Sequence, residues 1–225
     1  MREKIIYALA LAGGLLLARN LYVILLQLPD EAAQGAIYRI IFFHVPAAFC
    51  AFLGFFVALV SSVWFLATKN FACDAVAVAT TEVGLAFGAA NLISGMIWAR
   101  IIWGIWWAWD ARLTSMLICW LLYAGYLMLR RAIDEPTQRA TLGAVFSIFA
   151  FADVPIVWFS IQWWRTQHPG PVLRGSGTMD PAMKATLYWN FLAMALVAVI
   201  LVLIRLRQEQ TQREIASLRR LAHAM

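Results

Sequence analysis

The sequence predicts an all-α integral membrane protein: six transmembrane helices joined by short loops, with both termini cytoplasmic. Three observations carry this expectation. The 225 residues are 63% hydrophobic and 13% charged, against about 45–50% apolar and about 25% charged for a soluble domain. Six apolar runs come close to or exceed the roughly 20 residues that cross a hydrocarbon core. No run alternates as a strand would, and a helix pairs its own backbone amides where no water can.

The first run covers residues 5–26. Its start, MREKIIYALALAGG, has the charge-then-apolar order of a signal peptide, but the apolar stretch outruns the roughly 7–15 residues of a signal core. An uncleaved first helix is expected. The second and third runs cover 40–67 and 75–97, and the fourth covers 113–129. Asp134-Glu135-Pro136 interrupts the chain before the fifth, 142–161, in which Pro155 should kink the helix. Asp180 and Pro181 have the residue types of a cap and first helical position, and they open the sixth run, 182–204. Residues 1–204 therefore read as one six-helix domain and 205–225 as a basic cytoplasmic tail. Within the tail, Ile215, Leu218 and Leu221 are spaced for an amphipathic surface helix. A frayed polar end fits the same residues.

Lys and Arg set the orientation. Arg2, Lys4, Lys69, Arg130, Arg131, Arg139, Arg205, Arg207, Arg213, Arg219 and Arg220 fall on one side. Arg19, Arg39, Arg100, Arg112, Arg165, Arg174 and Lys184 fall on the other. Eleven against seven puts the termini inside. The net charge of +6 is spread between apolar spans and forms no single basic face, so no nucleic-acid partner is expected. Membrane lipid is the expected surrounding. Cys50, Cys73 and Cys119 form no CxxC and read as small hydrophobes. A GxxxxGK[ST] loop is lacking, and the chain reads as no enzyme.

With six crossings, the loops after spans one, three and five face outward. His44 begins span two beside the first of these loops, the tryptophan run WGIWWAWD fills the second, and His168 sits in the third. Two of the three histidines thus share a face with most of the 11 tryptophans. Trp103, Trp106, Trp107 and Asp110 are spaced i, i+3, i+4 and i+7, which predicts one face of a short interfacial helix in the second outer loop. Neutral imidazole is an axial ligand of haem iron. Indoles stack on flat aromatic discs, and arginine pairs with carboxylates such as propionates. His44 and His168 are therefore candidate axial ligands. Trp103, Trp106, Trp107, Trp109 and Asp110 form a candidate platform, with Arg100, Arg112 and Arg165 at its edges. An aromatic belt explains the same tryptophans, and composition does not separate the two readings. Glu82 and Asp153 lie inside spans. Either each is satisfied by a nearby group such as Asn91 or Ser94, or they mark a haem or proton route from the cytoplasm.

WGIWWAWDARLTS, within a segment spanning residues 98–115, resembles the WWD signature of haem-handling membrane proteins. HVPAA at His44 and WWRTQH at His168 resemble that family's flanking histidine segments. Together with six spans, these segments resemble the heme exporter protein C family of cytochrome c maturation. The family often has proline where Ile101 stands, so the approach to the tryptophan segment is expected to differ here. The resemblance implies that haem b is bound at the periplasmic face of the bacterial inner membrane, with His44 and His168 as axial ligands. It implies presentation to a membrane-anchored periplasmic haem chaperone. The further implied partners are the ATPase and membrane subunits of an ABC transporter and a small single-span accessory subunit. The rival reading is a quinone-linked haem-b electron-transfer subunit, which would stack histidine pairs within its helices. A small-solute transporter would show internal repeats and helices broken at mid-membrane.

Overall fold

The computed structural model describes residues 2–170 and 179–224, so Arg174, counted above on the outer side, lies outside them. Among the described residues no strand forms, and six helical segments are long and apolar enough to cross a membrane. They are Glu3–Gln27, Ala36–Thr68, Phe71–Ile102, Ala111–Arg131, Pro136–Trp163 and Pro181–Arg219. The first is helix α1 (Arg2–Tyr22) plus a π-helical turn, Val23–Gln27. The second is a 3₁₀ turn, Ala36–Ile40, running into α2 (Ile41–Thr68). Then come α3 (Phe71–Ile102) and α4 (Ala111–Arg131).

Pro155 breaks the fifth span as its chemistry requires. It has no N–H for the Phe151 carbonyl, and its ring crowds that oxygen. The span accordingly divides at Ala152 into α5 (Pro136–Phe151) and α6 (Asp153–Trp163). At the start of α5, Glu135 accepts from the Thr137 N–H at 2.8 Å and also from that of Gln138. These bonds hold its carboxyl below the usual range. The last helix, α7 (Pro181–Ala224), opens with the expected Asp180 cap, which accepts from Ala182 N at 2.8 Å. Its 44 residues reach about 66 Å at 1.5 Å per residue, twice a hydrocarbon core. No break separates residues 181–204 from the basic end.

Helices α2 and α3 pack closest where two glycines meet. A Cβ on Gly54 would lie 2.9 Å from the Thr80 carbonyl oxygen, and one on Gly84 would lie 2.9 Å from the Phe55 ring. Phe55 then stacks on Tyr123 of α4 with ring centroids 3.7 Å apart, and both are fully buried. Nearer the tryptophan-rich end, Asn20 of α1 donates to Asn190 of α7 at 3.3 Å, and Asn190 donates to the Phe42 carbonyl at 2.5 Å. Three helices are thereby tied through a pair of buried amides.

The opposite end is held by charge. Asp74 of α3 accepts from both terminal nitrogens of Arg130, at 2.6 and 2.9 Å, and from Arg213 of α7 at 2.6 Å. Glu82 pairs with Arg205 of α7, Nη2 to Oε1 at 2.9 Å. The expectation of a local partner for Glu82 is thus corrected. Its neutralising group is an arginine one helix away, and Asn91 and Ser94 serve another residue. Glu3 accepts from Arg207 at 2.9 Å, which sets both described ends of the chain at this same end of the bundle.

Candidate functional site

At the tryptophan-rich end, α2, α3, α4, α6 and the three adjoining loops surround a cavity of about 410 Å³. Its walls are mostly apolar and include Phe49, Phe52, Met96, Trp98, Trp103, Trp107, Trp158 and Ile161. Its polar groups are few: Gln34, Tyr38, Asn91, Arg112, Gln162, and the imidazoles of His44 and His168. Size and lining fall within the range of small-molecule pockets.

The two imidazoles face each other with ring centroids 6.5 Å apart and planes tilted by 31°. They come from the second span and the third tryptophan-side loop, as the parity of six crossings anticipated. His44 is in the first turn of α2, against α3. Its Nδ1 lies 3.0 Å from the Ser94 hydroxyl oxygen. That hydroxyl donates to the Asn91 carbonyl at 3.0 Å, so its oxygen is left to accept from Nδ1–H of His44, while the Asn91 amide nitrogen stands 3.2 Å from Nε2, as a donor to the lone pair there. The amide of Asn91 donates to the His44 carbonyl at 3.0 Å. Gly95 makes room for the ring, since a Cβ there would sit 3.1 Å from His44 Cε1.

His168 is arranged alike. Its Nδ1 lies 2.8 Å from the carbonyl of Pro169. A carbonyl only accepts, so Nδ1 carries the proton and Nε2 is the unprotonated nitrogen. Burial lowers its pKa below the ordinary value; the Pro169 carbonyl opposes this shift and Arg112 adds to it. The imidazole is therefore neutral at pH 7, the form that binds metal.

The donor set fits an axially ligated iron macrocycle. Imidazoles from two separate elements meet at one apolar cavity, as a group held by two imidazole nitrogens would require. Trp107 lines the cavity, and its buried indole N–H lacks a partner among the described residues. Arg112 also lines it; its guanidinium donates to the Val157 carbonyl and approaches that of Trp158 at 3.5 Å.

The tryptophan segment departs from expectation. It is not a helix: α3 ends at Ile102, α4 begins at Ala111, and the residues between are turns and extended chain. Gly104 takes a positive φ of 76°, which ends α3 and turns the backbone away from the helical path. The i, i+3, i+4, i+7 spacing of Trp103, Trp106, Trp107 and Asp110 consequently does not produce one face. Trp103 and Trp107 line the cavity, while Trp106 and Trp109 are 55% and 79% exposed. Asp110 caps α4, accepting from Leu113 N at 2.9 Å. It lines a neighbouring open cleft with Trp109, Asp153, Arg165 and Thr166. Arg100 also lies away from the cavity and donates to the Gly104 carbonyl. With isoleucine at position 101, where proline would lack an N–H, α3 continues one residue beyond it.

Four residues of the site lie outside the ligands and platform that the sequence suggests. Trp98 donates to Gln34 at 2.8 Å, tying the first loop to α3. Trp158 walls the cavity from α6. Asn91 and Ser94 were noticed as polar residues in an apolar span but matched to the wrong partner. Their spacing of three put both on the helix face that His44 meets, and that was the available signal.

These features define a polytopic helical membrane protein with an apolar, histidine-flanked pocket at one membrane face. The family model for heme exporter protein C matches residues 1–221. The chain is 36% identical over 220 residues to heme exporter protein C of Bradyrhizobium diazoefficiens, covering 97% of this chain and 83% of that one. It is 34% identical to the protein of the same name from Escherichia coli (strain K12), over 80% of this chain and 73% of the relative. A third, from Paracoccus denitrificans, is 34% identical over 84% and 80%. The chain belongs to the heme exporter protein C family.

Proposed function

We propose that this protein binds haem b at the periplasmic face of a bacterial inner membrane and presents it to a membrane-anchored periplasmic haem chaperone during c-type cytochrome biogenesis. Family membership supports the broader part, haem handling in cytochrome c maturation. The observation that carries the finer part is the pair of imidazoles 6.5 Å apart, each with its Nδ1–H engaged elsewhere.

Bound haem supplies an iron that takes two axial nitrogens and a flat apolar ring with two carboxylates. His44 and His168 would hold the iron. Trp103, Trp107 and Trp158 would wall the ring, and Arg112 is placed to pair with a propionate. The two ligands come from different elements, so movement of the third tryptophan-side loop alone weakens the site. That suits a protein that must release what it holds. Trp106 and Trp109, exposed at the rim, fit contact with the receiving chaperone. The ATPase and membrane subunits of an ABC transporter and a small single-span subunit are the proposed assembly partners. Delivery without a chemical step of its own is the proposed role. The quinone-linked electron-transfer reading is less well supported, because the cavity offers one histidine pair at one end of the bundle.

The test is the absorption spectrum of purified wild-type, His44→Ala and His168→Ala proteins. The wild type should carry a haem Soret band, and each variant should lose most of it. Unchanged spectra in both variants would remove the axial assignment.

A further inference from the structure

The tryptophan segment and the His168 segment are bonded to one another. Asp110 uses its two carboxylate oxygens differently. Oδ1 accepts from Leu113 N at 2.9 Å and caps α4. Oδ2 accepts from the hydroxyl of Thr166 at 2.6 Å. The Thr166 oxygen in turn accepts from the backbone N–H of His168 at 3.0 Å. The bonds run in one sense: His168 N–H to Thr166, and Thr166 O–H to Asp110. A charged acceptor at the end shortens and strengthens such a chain. No helix supports His168, because α6 ends at Trp163.

We infer that Thr166 is a positioning residue: with Asp110 it forms a latch that fixes the loop carrying His168 to the first turn of α4. This inference rests on the proposed axial role of His168. It gives the carboxylate of the tryptophan segment a function outside the cavity. It also makes the axial imidazole and the exposed Trp109, the neighbour of Asp110, parts of one mechanical unit. Only a side chain that both donates and accepts fits the middle position, which threonine and serine do and valine does not.

The test uses full-length protein in detergent, haem-free and haem-loaded, with Thr166→Val, Thr166→Ser and Asp110→Ser. Serine at position 110 keeps a capping oxygen for α4 but has no second one for Thr166. Amide hydrogen exchange of residues 164–170 in the haem-free protein should quicken about tenfold in Thr166→Val and Asp110→Ser, a change on the scale of one lost charged hydrogen bond. It should stay near wild type in Thr166→Ser. In both loosened variants the haem-loaded protein should shift from low-spin toward high-spin absorption, while exchange in the core of α4 is unchanged. Wild-type exchange in Thr166→Val would overturn the latch, whatever the haem spectra show. Faster exchange in Thr166→Val, together with an unaltered spectrum in His168→Ala, would keep the latch and remove the axial reading beneath it.

Discussion

His44 shows how much of a ligand site is decided by residues that never touch the ligand. Its ring is oriented by the Ser94 hydroxyl and packs closely over Gly95, where a Cβ would sit 3.1 Å from Cε1. Outer-shell partners of this kind set tautomer and ring direction at metal sites. Gly95→Val should therefore push the imidazole off its axis. The expected result is an about tenfold lower haem-to-protein ratio by pyridine haemochrome assay, at the low end of the 10–100-fold losses seen when such partners are changed, with protein yield maintained. A full complement of haem in this variant would mean that the observed ring position is not the binding position. At this scale the sequence was half legible. Residue types exposed His44 and His168, and the parity of spans brought them to one face. The proton arrangement was not legible, because Ser94 is 50 residues from His44 and no local pattern joins them.

Among the elements, those read from local chemistry survive. Pro155 divides the fifth span, and Asp180 caps the sixth. The helix expected over Trp103–Asp110 fails, because a helical spacing of indoles is also compatible with a loop. The deciding event is one glycine at positive φ. The pairing of α3 with α7 was equally hidden. Glu82 and Arg205 are 123 positions apart, and nothing in either span names the other. The Asp74 cluster has an energetic consequence. Truncating this carboxylate strands the Arg130 guanidinium, whose side chain is 8% exposed, and breaking a buried pair in this way costs about 3–5 kcal/mol. Asp74→Ala should markedly lower the thermal unfolding midpoint in detergent and release the basic end of α7 to proteolysis. A midpoint equal to wild type would show that the ion cluster does not hold the helices together.

For the molecule as a whole, the bundle separates two chemistries. One end is arginine and carboxylate, with Glu3, Asp74, Glu82 and Glu209 meeting Arg130, Arg205, Arg207 and Arg213. The other is indole, imidazole and apolar cavity. The proposed orientation, which the Lys and Arg bias supports, puts the first end in the cytoplasm. Alkaline phosphatase fused after residue 33 or residue 167 should be active in the periplasm, and a fluorescent protein at the C-terminus should be bright in the cytoplasm. The reverse pattern would invert the molecule and remove a periplasmic delivery role. The long apolar spans made six crossings legible from composition, since lipid leaves few alternatives for such runs. The cavity was not legible, because it arises from four helices and three loops meeting.

Electron paramagnetic resonance of the oxidised, purified protein bears most directly on the paired imidazoles. Wild type should give a low-spin ferric signal of bis-histidine type, and His44→Ala and His168→Ala should each convert the retained haem to high spin. A high-spin signal in the wild type, or a low-spin signal that persists in both variants, would contradict ligation by these two residues.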